Sequence, residues 1–158
     1  MFTKPIMIGM ETHQRIANNE RLVFVFGRWP SFHDAEVIWL RLDRRATSLG
    51  RGPTVEAIIH AFEMTSEVDA AGFYVLRNHV LVHLRFSRVM ESILEGFNCQ
   101  NVLLGMSIKD IRHRQMEDLN FEVAFDSSYG VEASFQCQNI EVVDVAPCDS
   151  GGLPLAGA

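Results

Sequence analysis

Phe121-Glu122-Val123-Ala124-Phe125-Asp126-Ser127-Ser128-Tyr129-Gly130-Val131-Glu132-Ala133-Ser134-Phe135-Gln136-Cys137-Gln138 reads as two strands about a turn. Phe121, Val123 and Phe125 alternate with Glu122, Ala124 and Asp126. Ser127-Ser128-Tyr129-Gly130 then interrupts the pattern with turn-forming residues. Beyond it Val131, Ala133, Phe135 and Cys137 resume the apolar side opposite Glu132, Ser134, Gln136 and Gln138. A period of two places one apolar and one polar face on this hairpin.

Outward from the hairpin the same period recurs. In Glu36–Asp43, Val37, Trp39 and Arg41 oppose Ile38, Leu40 and Leu42. In Thr54–Met64, Val55, Ala57, Ile59 and Ala61 oppose Ile58, His60, Phe62 and Met64. Both segments are apolar on both sides, so at least one is expected to be central in its sheet. Val80, Val82, Leu84 and Phe86 alternate with His79, Leu81, His83 and Arg85, and Val102, Leu104, Met106 and Ile108 repeat at two. Ile140–Val145 is a further strand closed by Pro147.

Helix is scarce. Leu22, Val25 and Phe26 share one helical face, with Asn19 as N-cap and Gly27 as C′ residue, although a strand over Leu22–Phe26 fits almost as well. Glu91–Leu94 offers one helical turn at most. Arg44–Pro53 reads as a basic exposed loop. The sequence therefore predicts one domain over residues 1–148, β-dominated α+β, with a mainly antiparallel sheet of about six to eight strands and one or two short helices. Residues 149–158, rich in Gly and Pro, read as a flexible tail.

The composition is that of an ordinary globular chain, with 47% hydrophobic and 22% charged residues in 158. No apolar run reaches bilayer-spanning length, and Met1–Met10 lacks a secretory pattern, so a cytoplasmic protein without a membrane partner is expected. Cys99, Cys137 and Cys148 are odd in number and widely spaced, which suits neither a disulfide framework nor a zinc ribbon. Cys99 and Cys137 read as inert small hydrophobes.

Charge is distributed unevenly. All 14 basic residues lie at or before Arg114, against 12 acidic ones. From Gln115 onward there are no basic residues and eight acidic ones: Glu117, Asp118, Glu122, Asp126, Glu132, Glu141, Asp144 and Asp149. Such a segment repels phosphate, which argues against nucleic acid as a ligand, and favours a basic partner steered in by its field. The plainer reading is that acidic strands keep the chain soluble.

Trp29-Pro30-Ser31-Phe32-His33-Asp34-Ala35-Glu36-Val37 is the densest chemical stretch. His33-Asp34 matches the dipeptide of metal-dependent phosphohydrolases, but that chemistry needs further His and Asp ligands projected from helices. A ligand set of His33, Asp34 and His60 would have to assemble through tertiary contact. His79 and His83 share a strand face but stand about 13 Å apart, too far for one metal ion. The structural reading has Asp34 accepting backbone N–H bonds where the strand begins, His33 bonding a carbonyl, and Trp29 and Phe32 packed beneath. Asn98 and Asn101 read as turn-holding residues. There is no G-x-S-x-G elbow, P-loop or Rossmann glycine pattern, and no cofactor is expected.

Phe26–Val37 resembles the signature of the immunity protein 50 family of bacterial polymorphic toxin systems. Leu84-Arg85-Phe86, Gly96–Val102 and the Gly130–Pro147 strand pair are compatible with it, so the resemblance covers about Asn19 to Pro147. It implies a non-enzymatic cytoplasmic antidote that binds and blocks a cognate toxin domain. In that role Glu122, Asp126 and Glu132, with Glu141 beside them, are the expected contact row for a basic toxin. His33, Asp34 and Glu36 form the alternative surface, while Trp29, Pro30, Phe32, His33, Asp34, Asn98 and Asn101 are the expected structural motif. Two other classes stand beside this reading: a small metal-dependent or ligand-binding protein using His33 and Asp34, and a structural homo-oligomeric subunit.

Overall fold

Alternation in the sequence becomes alternation in burial. Phe121, Val123, Phe125, Val131, Ala133, Phe135 and Cys137 are buried, while the residues between them are partly or fully exposed. The computed structural model describes residues 10–45 and 52–157, so the basic loop at Arg44–Pro53 lies largely outside the described residues. The elements are α1 (Glu20–Phe26), β1 (Glu36–Asp43), β2 (Thr54–Val68), β3 (Tyr74–Ser87), β4 (Met90–Glu95), β5 (Val102–Asp110), β6 (Phe121–Tyr129), β7 (Glu132–Cys137) and β8 (Asn139–Pro147). Short 3₁₀ turns occupy Thr12–Arg15 and Arg112–Arg114.

The eight strands form one antiparallel sheet in the order β4-β7-β6-β5-β1-β2-β3-β8, with the doubly apolar β1 and β2 in its interior. In a flat sheet β3 and β7 would lie five strand spacings apart, roughly 24 Å. Instead the Phe86 ring of β3 meets Phe135 of β7 edge-on at 4.9 Å and stands 6.1 Å from Phe125 of β6. The sheet therefore curls on itself over one core, to which Ile16, Leu22, Phe32, Val37, Ile59, Val82 and Leu103 also contribute.

The curl turns at the junction of β1 with β5, where regular pairing shrinks to Glu36 opposite Val102. Backbone bonds from the preceding turn complete it. Asp34 N donates to Leu103 O at 2.9 Å, Leu103 N to Ala35 O at 2.9 Å, Val37 N to Asn101 O at 2.9 Å and Met106 N to Ser31 O at 3.1 Å. Two irregularities make this geometry, and each corrects the sequence reading. Ile38 is a bulge, so Leu40 rather than Trp39 follows Val37 toward the core, and Trp39 stands outside against the His83 ring. Register shifts around Leu103 likewise bury Leu103 and expose Leu104.

Other expectations also change. Glu91–Leu94 belongs to strand β4, not to a helical turn. Leu22–Phe26 is helical and ends at Gly27 with φ +73°, but the Asn19 side chain donates back to Ile16 O instead of capping the helix. Asp149–Pro154 forms a closed turn at the start of the C-terminal segment. The Asp149 carboxylate accepts the N–H groups of Gly151 and Leu153, and Cys148 bridges Pro154.

Asn101 ties the β4–β5 connection to the β6–β7 loop. Its buried Oδ1 accepts Asn98 N at 3.0 Å and Val131 N at 3.1 Å, while Nδ2 donates to Asn98 O at 2.9 Å. Gly130, at φ +84°, lies so close that a Cβ would collide with the Gln100 carbonyl and with this Oδ1. Asn101→Ala would leave the buried Val131 N–H without its acceptor and free the Asn98 turn, and is expected to cost about 1–3 kcal/mol in urea unfolding. A loss below about 1 kcal/mol would show that the bonds carry little.

Candidate functional site

Strand order separates the carboxylates that the sequence groups together. β8 pairs with β3, whereas Glu122, Asp126 and Glu132 lie on β6 and β7, so Glu141 is not in their strand ladder. It pairs instead with Arg85 at 3.3 Å, and Arg85 also reaches Glu56 at 3.4 Å. Glu56 is further bonded to His83 Nε2 at 2.6 Å. Burial raises the Glu56 carboxyl, but the His83 bond and the Arg85 charge outweigh it and leave the group below its ordinary pKa.

Of the seven other acidic residues beyond Arg114, three pair with arginines from the first 114 residues, and Glu117 has no ion pair among the described residues. Arg114 bonds Glu122 at 2.9 Å and holds its carboxyl below the usual carboxylate range. Arg88 pairs with Asp118 at 3.0 Å, Arg21 approaches Asp144 at 3.9 Å, and Asp149 is engaged by its own turn. Asp126 and Glu132 have no ion pair among the described residues. Both are exposed, and with Glu95, Ile93, Ala124 and Ser134 they line a depression of about 250 Å³. Glu95 lies directly across from Glu132 in the β4–β7 ladder. Like charges placed opposite one another on neighbouring strands repel, so the depression is a concentrated negative site. Glu95 and Ile93 escaped the sequence reading because β4 is solvated throughout and shows no alternation.

The signature stretch divides differently. Phe32 is buried, its φ of +61° held by the corner bonds, and Trp29 sits between the stacked His13 ring at 5.9 Å and the edge of Phe32 at 6.0 Å. Pro30 is half-buried beside it. The Asp34 carboxylate accepts no backbone N–H. It faces His33 Nδ1 at 3.1 Å in a largely exposed pair, and among the described residues neither side chain makes the expected backbone bond. What Asp34 contributes is its main chain, at φ +62°, a conformation that Asp tolerates better than most residues. Glu36 is half-buried opposite His60 rather than grouped with the exposed pair.

His60 is itself 5% exposed and bonds His79 at 3.0 Å beneath Gly152 of the C-terminal turn. Burial and the neighbouring His79 lower its pKa, against the opposing pull of Glu36 and Asp149. Among the described residues no three His, Cys, Asp or Glu side chains converge to hold a metal ion, so His33, Asp34 and His60 do not form the ligand set considered above. Burial pushes the Cys137 thiol up to about 12, an inert group, whereas Cys99 is exposed and not a buried hydrophobe.

The geometry thus describes a β-domain with an acidic, partly apolar depression beside a strand edge. A family model described as Immunity protein 50 matches residues 18–148, and the chain belongs to that family. Membership in a family of immunity proteins implies a protein partner, a toxin. Comparison with curated proteins and with solved structures gave no match.

The His60 environment has a measurable consequence. A histidine whose pKa is depressed in the folded state contributes stability that is complete above its unfolded value of 6.5 and is lost as pH falls below it. The melting temperature is expected to drop more steeply from about pH 7.5 to about pH 5.5 in the wild type than in His60→Gln. Parallel profiles would remove His60 as the source of acid sensitivity.

Proposed function

We propose that this chain is a non-enzymatic immunity protein that binds and neutralises a toxin domain in the cytoplasm of the producing cell. The observation that carries the contact surface is the depression in which Asp126, Glu132 and Glu95 gather without an ion pair among the described residues, whereas Asp118, Glu122 and Glu141 are paired with arginines. Three uncompensated carboxylates around exposed Ile93 suit a basic protein surface, which they would attract over a distance of about one Debye length. Glu122 flanks this surface with its charge shared by Arg114, and Glu141 stands outside it. A toxin that acts on nucleic acid carries a cationic cleft, and an acidic surface can compete there with phosphate. The exposed His33–Asp34 pair is a lesser surface of the same chain, its two charges largely compensating one another when His33 is protonated.

Co-expression with the toxin domain encoded beside this chain tests the class: growth should be rescued and a complex should co-purify. For the surface, Asp126→Lys with Glu132→Lys is expected to slow association about tenfold at low salt, with the difference shrinking at high salt. Association kinetics equal to the wild type would place the contact elsewhere.

A further inference from the structure

An open sheet has two unpaired edges, and each is a template for another strand. In this chain the β8 edge is occupied. Ala17 N donates to Ile140 O at 2.9 Å, and Val142 N donates to Ala17 O at 2.9 Å. The side chains of Asn18 and Arg21 donate to the carbonyls of Val142 and Val143 at 3.3 and 3.0 Å. The segment leading into α1 thus covers one end of the sheet.

The β4 edge has no such cover among the described residues. Met90–Glu95 pairs with β7 alone, and all six of its residues are exposed. The edge is blunted by its short length, by Glu91 and Glu95 and by a bulge, which favour a basic occupant over an apolar or like-charged one. The strand contains no Lys or Pro, and its irregularity is confined to the segment between Met90 and Ile93, where Glu91 takes φ +52°. From Ile93 to Glu95 the pairing is regular, against Ser134, Ala133 and Glu132. Ile93, 63% exposed, presents apolar surface on this strand, and Phe97, 47% exposed, follows it in the connection to β5.

We propose that β4 is the docking line for the partner: an extended, basic segment of the toxin adds to it as a ninth strand. The inference rests on the immunity reading and specifies how the toxin is held. Main-chain bonds to the open edge would supply affinity that does not depend on sequence, and the side chains select the occupant. Ile93 and Glu95 are two residues apart and share a face, so the incoming strand should carry an apolar residue opposite Ile93 and Lys or Arg two positions away, opposite Glu95. Glu132 and Asp126, on the same depression, reinforce that cation. A second copy of this chain is the poorer occupant. Antiparallel self-pairing of β4 would bring Glu91 and Glu95 of one copy toward the same carboxylates of the other, a like-charge arrangement.

Hydrogen exchange of the full chain, alone and with the toxin domain encoded beside it, tests this directly. Amides within residues 90–97 are expected to slow at least about tenfold in the complex, while those of β8 keep their rates. Ile93→Lys, at an exposed position, should weaken the complex about tenfold with an unchanged melting temperature. A complex that forms without slowing residues 90–97 overturns the docking line and leaves the immunity reading standing. Failure of the wild type to form any complex overturns both. Concentration-dependent slowing of the same amides without toxin, together with a dimer mass in sedimentation, assigns the edge to a second copy and overturns the proposal.

Discussion

The structure depends on the corner where β1 meets β5. With a single register pair between these strands, the two halves of the sheet would be hinged there, were it not for the turn Ser31–Ala35. Its backbone bonds to Leu103 and Met106, with Val37 bonded to Asn101, extend the junction to a ladder of four hydrogen bonds. The turn needs left-handed backbone at Phe32 and Asp34, a costly conformation for a bulky side chain. Burial of Phe32 against Trp29 and the core offsets that strain. The signature stretch is therefore a brace, and its polar pair His33–Asp34 is carried outward as a by-product of the turn.

Everything functional in the account follows from the direction of that curl. It brings Phe86 onto Phe125 and Phe135, closing the core, and leaves β8 and β4 as the two ends. It also brings arginines of the first 114 residues to four of the eight acidic groups that follow them. A charge imbalance that looks like a uniformly acidic C-terminal sheet becomes, in three dimensions, four arginine pairs and a cluster of Asp126, Glu132 and Glu95 without ion pairs among the described residues. That cluster sits beside the uncovered edge, and the coincidence of carboxylates, apolar surface and open backbone gives the toxin-binding reading its physical content.

Much of the architecture was legible in the sequence, because half-buried antiparallel strands write their faces directly into a period of two. Phe121–Cys137, Thr54–Ala61 and Val80–Phe86 are read correctly for that reason. Bulges were not legible. Nothing local to Ile38 or Leu103 announces an extra residue, since the demand for it comes from the corner between distant strands. β4 was missed because a strand solvated on all sides has no apolar rhythm, and the C-terminal turn because Gly and Pro also mark frayed ends. Glu122 and Glu141 were separated from Asp126 and Glu132 only by partners some distance away in sequence, Arg114 and Arg85, which charge counting does not reveal.

The central claim is that the corner holds the two halves as one cooperative unit and so fixes which edge and which carboxylates remain open. Native-state hydrogen exchange at the Asp34, Val37, Leu103 and Met106 amides measures it most directly. If the claim holds, these amides exchange with the same free energy as those of Val82 and Val123 in the core strands, that of global unfolding. Exchange at the corner through openings more than about 2 kcal/mol cheaper than in those strands would contradict it, and would describe two half-sheets joined by a hinge.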